Sequence, residues 1–215
     1  MAKGTDFGGV HSSRDLHLMQ AKVEVQPAKP KTKFIDIPGA DGSKDYSESP
    51  AGRVVYSTRK ITWTYKLYPG DNWVAKYTEV SNAINGLNCQ IRLDDDPDYF
   101  YLGRVSVDKY DSDSILHTIT VTATCQPYKV QAVTESFTIT TEDTIFSLLG
   151  GKMPVVPTIT VTKDTTLVWA GSSYSLSAGT HKLLDVVITE GINNLMARVT
   201  TGTGTIRFKY QRGEL

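Results

Sequence analysis

The sequence predicts a mainly β protein with two domains, an N-terminal β-rich domain that carries one α-helix and a C-terminal β-sandwich. Apolar and polar residues alternate over 53–68 and 115–124, which is typical of half-buried strands. The stretch 73–87 instead has the i, i+3/i+4 spacing of an amphipathic helix. The second part of the chain has short alternating runs between glycines and prolines, as in a sandwich. We therefore expect domains of residues 1–129 and 130–215.

The N-terminal domain is expected to begin with a polar, irregular segment over residues 1–21. Two strands are predicted within 22–37. An extended Pro- and Lys-rich stretch at 26–33 separates them, because proline cannot donate to a β-ladder. Residues 38–52 begin with the turn chemistry of a Pro-Gly pair and stay polar, which predicts a long surface loop.

The clearest strand of the N-terminal domain places four large apolar side chains on one face: Ile61, Trp63, Tyr65 and Leu67. The helix after it has Asp71 or Asn72 as its N-cap and ends at Gly86. Its apolar stripe suits packing on a sheet. Three further strands are expected at 87–93, 102–110 and 115–124, with turns at 94–98 and 111–114.

The second domain is rich in threonine and poor in charge, and no helical pattern occurs in it. Its predicted strands lie at about 132–141, 158–162, 166–170, 174–177, 184–189, 195–200 and 205–210.

Charge and composition exclude several classes of protein. The chain has 23 basic and 23 acidic residues, and the two signs also balance within each predicted domain. A general nucleic-acid or anionic-membrane binder would need a clustered positive field. No secretory signal or membrane span is visible, so we expect synthesis in a cytoplasm without membrane insertion. Cys89 and Cys125 are too few for a disulfide framework and are expected to be free, buried thiols.

The most conspicuous stretch is 93–105, in which four aspartates precede three aromatic residues and a Gly-Arg-Val strand. Asp94, Asp96 and Asp98 would fill positions 1, 3 and 5 of a calcium loop of the EF-hand type. The same alignment puts Tyr99 where that loop needs glycine and Val105 where it needs a bidentate glutamate. A solvated acidic turn is therefore favoured over a metal site, with the aspartates facing water and the aromatics packed in the domain.

Histidines offer no catalytic constellation. His11 and His17 are six residues apart, which matches no helical ligand spacing, and both are expected at the surface. His117 falls on a mainly apolar strand face and is expected to be a hydrogen-bonded core residue. The motifs of P-loop, serine-hydrolase, zinc-protease and Cys-x-x-Cys sites are missing, so we expect neither an enzyme nor a cofactor.

One binding site is suggested by the residues of the second domain. Trp169 and Tyr174 flank a short polar segment, and an exposed aromatic beside polar groups can stack a sugar ring. The alternative, in which Trp169 belongs to the core at the end of a strand, remains open.

The order of these elements resembles the distal tail protein (Dit) family of phages with long, non-contractile tails. The residues that carry the resemblance include the loop 38–48, the strand 59–63 and the helix 73–86. Asp94-Asp95-Asp96-Pro97 with 99–105 and Gln126-Pro127-Tyr128-Lys129 complete the pattern over about 33–129. The C-terminal pattern of 157–161, 191–193, 202–205 and 210–215 is similar to the family's C-terminal sandwich.

The resemblance implies a structural virion protein at the tail tip, or baseplate, assembled in the host cytoplasm. Its N-terminal domain would form a homohexameric ring and its C-terminal domain a galectin-like sandwich. The ring would join the tail tube protein to the tail hub or tail-associated lysin, contact receptor-binding proteins in host attachment, and let DNA pass without specific binding. Candidate subunit contacts lie in the Pro- and Lys-rich stretch 26–33 and in the polar loop: Lys31, Lys33, Asp41, Asp45 and Glu48. The alternative function is a carbohydrate-binding module that contacts host glycans through the C-terminal sandwich.

Overall fold

The computed structural model describes residues 3–112 and 117–215, which form two compact units. One comprises the described residues up to Lys129 together with Leu215, and the other is Val130–Glu214. Strands dominate both units, and the described residues contain a single α-helix, which confirms the mainly β fold class. No helix in this part of the chain is long and apolar enough to cross a membrane.

The first unit is built on one antiparallel seven-stranded sheet. In chain order its elements are β1 (Thr5–Phe7), β2 (Val10–His11), β3 (Met19–Val25), β4 (Phe34–Asp36), β5 (Ser43–Asp45), β6 (Arg59–Lys66), α1 (Trp73–Ile84), β7 (Asn88–Leu93), β8 (Tyr101–Ser112) and β9 (His117–Cys125). The strand order across the sheet is β2-β1-β7-β8-β9-β6-β3. Strands β4 and β5 pair only with each other and form a separate hairpin.

The centre of this sheet agrees with the predicted alternation. Ile61, Trp63 and Tyr65 are fully buried and stand opposite the apolar residues Ala123, Val121 and Ile119 of β9. The turn predicted at 111–114 is wrong for Asp111 and Ser112, which are the last residues of β8. Asp113 and Ser114 of that turn, and Ile115 and Leu116 of the next predicted strand, lie outside the described residues.

Helix α1 begins where the sequence indicates. Asn72 is the N-cap, and its side-chain oxygen accepts the N–H groups of residues 74 and 75. Val80 and Ile84 are the helix residues that are fully buried, whereas Val74 of the predicted apolar stripe is 53% exposed. Gly86 follows the helix with a φ of 82°, a left-handed conformation that glycine adopts without steric cost.

The prediction of an irregular N-terminal segment is wrong. Strand β1 pairs with β7 and extends the sheet, and Phe7, Leu16 and Leu18 are buried in the core. His11 is also buried rather than at the surface, while His17 is exposed as predicted. Short strands and tight turns hide this burial in the sequence, because no run is long enough to show alternation.

The polar segment 38–52 is not a simple loop. Its residues Ser43–Asp45 form β5, which pairs antiparallel with β4. The residues from 31 to 45 are exposed, so neither face of this hairpin is covered by the other residues that the structure describes.

The second unit is a β-sandwich. Its strands are β10 (Lys129–Ile139), β11 (Thr144–Gly150), β12 (Thr158–Val161), β13 (Thr165–Trp169), β14 (Ser172–Leu176), β15 (Gly179–His181), β16 (Gly191–Val199) and β17 (Gly204–Glu214). The sheets β10-β17-β12-β15 and β11-β16-β13-β14 contribute to one core. Strands β11 and β15 were not predicted, and the strand expected at 184–189 is limited to an isolated bridge between Val155 and Ile188.

Candidate functional site

The acidic turn between β7 and β8 fastens the N-terminal segment to the sheet. The carboxylate of Asp94 accepts the backbone N–H of Gly4 at 2.8 Å and lies 3.2 Å from His11 Nε2. The Nδ1 atom of His11 accepts the backbone N–H groups of Ser13 and Arg14 at 3.2 and 3.1 Å. Because Nδ1 is an acceptor, Nε2 carries the ring proton and donates it to Asp94.

The next two aspartates bind different basic groups. Asp95 pairs with Lys3 at 2.5 Å, and Asp96 accepts the ammonium of Lys129 at 2.6 Å. The hydrogen bond that Lys129 donates to Asp96 raises the pKa of this lysine, whose Nζ also lies 4.3 Å from the ring centroid of Tyr99. Asp95 and Asp96 thus bind Lys3, at the start of the first unit, and Lys129, at its end, to the same turn.

Asp94, Asp95 and Asp98 are exposed, as predicted, whereas Asp96 is half-buried. The prediction of a purely solvated turn is incomplete, because Asp94, Asp95 and Asp96 each bind a basic or polar partner. Of the three aspartates aligned with a calcium loop, Asp94 and Asp96 are engaged with separate partners. Within the described ranges, no group of three or more His, Cys, Asp or Glu side chains is placed to hold a metal ion.

The aromatic residues after the turn pack as predicted. Phe100 and Tyr101 are 3% and 7% exposed. The guanidinium of Arg59 lies 5.5 Å from the ring centroid of Tyr101, and burial raises the pKa of the Tyr101 phenol.

Gly103 separates the two cysteines on the core side of the sheet. It stands opposite Cys89 on β7 and opposite Cys125 on β9. Both thiols are free, Cys125 is buried, and Cys89 is half-buried rather than buried as expected. Burial raises the pKa of the Cys125 thiol to about 12, so the group is a neutral core residue at physiological pH.

The hairpin of β4 and β5, together with the chain that leads into and out of it, is the most exposed part of the first unit. We call residues 29–57 the arm. Phe34, Ile35 and Ile37 are 60%, 40% and 45% exposed. The charged residues predicted for subunit contact all lie exposed on the arm: Lys31, Lys33, Asp41, Asp45 and Glu48. An isolated two-stranded hairpin is marginal in water, and clustered exposed apolar side chains mark interaction surfaces.

Sequence reasoning identified the charges of the arm but missed its apolar residues. The sequence pattern predicts an ordinary strand of the domain at Phe34, Ile35 and Ile37. The signal was present, since adjacent residues such as Phe34 and Ile35 point to opposite faces of a strand and cannot both be buried by a single sheet.

Trp169 and Tyr174 are placed toward the sandwich core. Leu167 stands opposite Tyr174, and Trp169 lies two residues further along β13, so the three side chains share one face. Leu167 is fully buried, and both aromatics are partly buried against the same core cluster. A part of each aromatic surface is thus engaged in packing, and both side chains stay half-buried.

Comparisons with known proteins give one informative finding. No family model matches the chain, and no curated protein matches it. Among solved structures, the fold matches the crystal structure of the Dit protein of phage SPP1, with a TM-score of 0.69 and 13% sequence identity. The match covers 100% of both chains. The resemblance predicted from the sequence is confirmed at the level of the fold, over both units.

Proposed function

We propose that this chain, which has the fold of a phage distal tail protein along its whole length, is a structural protein of a phage tail tip. The observation that carries the proposal is the full-length match to SPP1 Dit, described as a paradigm of the hub adsorption apparatus in phages that infect Gram-positive bacteria. The match includes both units in their chain order, so it involves the complete architecture rather than one common β module.

The proposed assembly is a homohexameric ring formed by the first unit. The arm supports this proposal, because it exposes the apolar side chains of Phe34, Ile35 and Ile37 to solvent among residues 3–112 and 117–215. A surface of this kind gains stability by packing on another molecule. Identical subunits that each insert an arm into the next make heterologous contacts, which close into a ring when the rotation permits.

The charge balance is compatible with a ring through which DNA passes. The chain has equal numbers of basic and acidic residues, and tight binding to the phosphate backbone requires an excess of basic contacts. On this proposal the ring joins the tail tube protein on one face to the tail hub or lysin on the other, and the second unit projects toward receptor-binding proteins. The role involves no catalysis.

The decisive experiment is mass photometry and negative-stain imaging of the purified protein. We expect a particle of six copies with six-fold symmetry and a central pore. Replacing residues 34–48 by a short Gly-Ser linker should give monomers with intact sheets by circular dichroism. A matched control is Ile145→Ser in the second unit, since Ile145 is an equally apolar side chain that is 73% exposed. That variant should assemble like the parent protein.

A wild-type protein that stays monomeric at concentrations of about 50 μM, well above those of typical specific assemblies, would contradict the proposal. Localisation is tested separately by mass spectrometry of purified particles from the producing host, where the chain should co-purify with tail proteins in about six copies for each tail.

A further inference from the structure

A small cavity lies at the root of the arm. The chain segments on its two sides are joined by hydrogen bonds at both ends, from Gln26 N to Lys60 O and from Ser57 N to Lys29 O. Between these bonds the segments separate, because Pro27 has no N–H to donate. The resulting cavity has a volume of about 300 Å³, which is large enough to receive a side chain of a neighbouring molecule.

The cavity is lined by basic and polar residues without an acid among them: Gln26, Pro27, Lys29, Ser57, Thr58, Arg59, Lys60 and Thr124. Three of the eight are cations. Among the described residues, the carboxylate that forms an ion pair with one of these cations is that of Asp108, which lies 3.9 Å from Lys60 Nζ and already accepts a hydrogen bond from Thr122. The lining therefore presents an excess of positive charge to whatever enters.

Arg59 is the least solvated of these cations. Its exposed fraction is 5%, and its Nε atom is buried without a hydrogen-bond acceptor. None of the ion pairs recorded among residues 3–112 and 117–215 includes Arg59, and its charge is compensated by the face of the Tyr101 ring. A buried guanidinium is costly unless it is paired with an anion, so the isolated chain leaves this residue short of one partner.

Negative charge that could pair with these cations lies at the tip of the arm, away from the cavity at its root. Residues 34–48 contain four acids and one lysine. In the described part of the chain, the side chains of Asp41 and Glu48 enter no hydrogen bond or ion pair, and both are exposed. Asp45 is held by Ser47, whose hydroxyl hydrogen bond lowers the pKa of this carboxyl.

We propose that the cavity is a carboxylate-binding site, and that its occupant is the acidic end of the arm of a second copy of this chain. Charge complementarity carries this assignment, since the two ends of one arm have opposite charge. Apart from Lys60, which lies 3.9 Å from Asp108, the cations of the cavity enter no ion pair among the described residues. A head-to-tail contact of this kind is repeated identically around a ring. The inference rests on the proposed function in one respect, namely that copies of the chain assemble.

The test is a charge-reversal cycle followed by mass photometry over a concentration series. One variant carries D41K and E48K in the arm, another carries K29E and K60E at the cavity, and a third combines all four changes. We expect each pair alone to raise the concentration of half-assembly at least about tenfold, as for charge pairs at interfaces, and the combination to restore most of the loss. Assembly of the wild type should also weaken between 50 and 500 mM NaCl, because salt screens these charges.

The substituted side chains are exposed, so the variants should fold, which thermal unfolding confirms. Matched controls are K66E, which reverses an exposed lysine at the other end of β6, and E142K, which reverses an exposed glutamate in the second unit. Both should assemble normally. In addition, R59M should weaken assembly without any change at a surface charge.

Two results would overturn the inference while leaving the proposed function intact. The first is a ring that forms equally well in both reversed variants. The second is loss of assembly in each pair without recovery in the combination, which would assign the two charge groups to different partners. A monomeric wild type, in contrast, overturns the proposed function itself.

Discussion

Gly103 is the position at which a single methyl group should damage the first unit most clearly. Its φ is not in the left-handed region, so an alanine could adopt its backbone conformation. The expected loss of stability arises only from steric overlap between the added Cβ atom and its neighbours. A Cβ atom built on Gly103 would lie 2.6 Å from the sulfur of Cys125, 2.7 Å from the carbonyl oxygen of Thr124 and 2.8 Å from the Cα of Cys125.

The magnitude follows from which of these atoms can move. Overpacking a well-packed core costs about 1–3 kcal/mol, and the lower part of that range applies where a side chain can rotate away. Two of the three contacts are backbone atoms of β9, which is held by pairing on both sides. We therefore expect Gly103→Ala to cost about 3 kcal/mol, which for a unit of this size lowers Tm by roughly 10 °C.

The measurement is urea unfolding, monitored by tryptophan fluorescence in a Trp169→Phe background. In that background Trp63 and Trp73 report on the first unit alone. Adding Cys125→Ala removes the sulfur contact but not the backbone contacts, so the double variant should recover only a part of the loss. Ser106→Ala, on the exposed face of the same strand, should change stability by less than about 0.5 kcal/mol. A cost for Gly103→Ala below about 1 kcal/mol, or full recovery in the double variant, would refute this reasoning.

Three further predictions concern the acidic turn, the buried thiol and the sandwich aromatic. Asp94→Ala should destabilise the first unit by about 1–3 kcal/mol in urea, because it leaves a backbone N–H and a buried imidazole without their acceptor, whereas Asp98→Ala should cost less than about 0.5 kcal/mol. Millimolar calcium should leave the Tm of the wild type unchanged, and a rise of several degrees would count against the ion-pair description. The pKa of Cys125 is raised to about 12 from its ordinary 9.0, so the folded state keeps a proton that the unfolded chain loses. Stability should therefore be complete below pH 9 and fall by up to about 1.4 kcal/mol per pH unit between these values. Cys125→Ala should remove that share of the slope, and an equal slope in both proteins would be inconsistent with it. Trp169→Ala should lower the stability of the second unit by about 2–3 kcal/mol through lost packing, and an unchanged unfolding midpoint would show that the ring is free for binding.

Long alternating segments were predictable from the sequence because burial repeats along them. Ile61, Trp63 and Tyr65 show the period of a strand, and Asn72 shows a helix start through its capping side chain. In contrast, β1 has three residues, too few for a period to be recognised. Burial of Phe7 depends on the pairing of β1 with β7, and His11 contacts Asp94 just after β7. Both partners are more than 80 residues away, which no local pattern records.

The candidate contacts were predictable only in part for a similar reason. Charged residues on a polar segment identify a surface, so Asp41 and Glu48 were found. The cavity beside Arg59 exists because two distant segments pair at Gln26 and Lys29 and separate in between. The excess of positive charge in the cavity arises because Lys29 is brought close to Arg59 and Lys60 by the fold. In the sequence, Arg59 is only one residue of an ordinary strand.

The position of Gly103 between the two cysteines also determines how the chain responds to oxidants. Adjacent strands lie about 4.8 Å apart, so the Cα atoms of Cys89 and Cys125, one strand apart on either side of Gly103, are separated by about 10 Å. A disulfide requires Cα atoms within about 7 Å. The two thiols thus share a face of the sheet but cannot be bridged without breaking it, and the covalent structure should be the same in a reducing cytoplasm and in an oxidising external medium. A protein that is made in one of these environments and used in the other, as the proposed role requires, gains from having no redox-dependent bond within its fold.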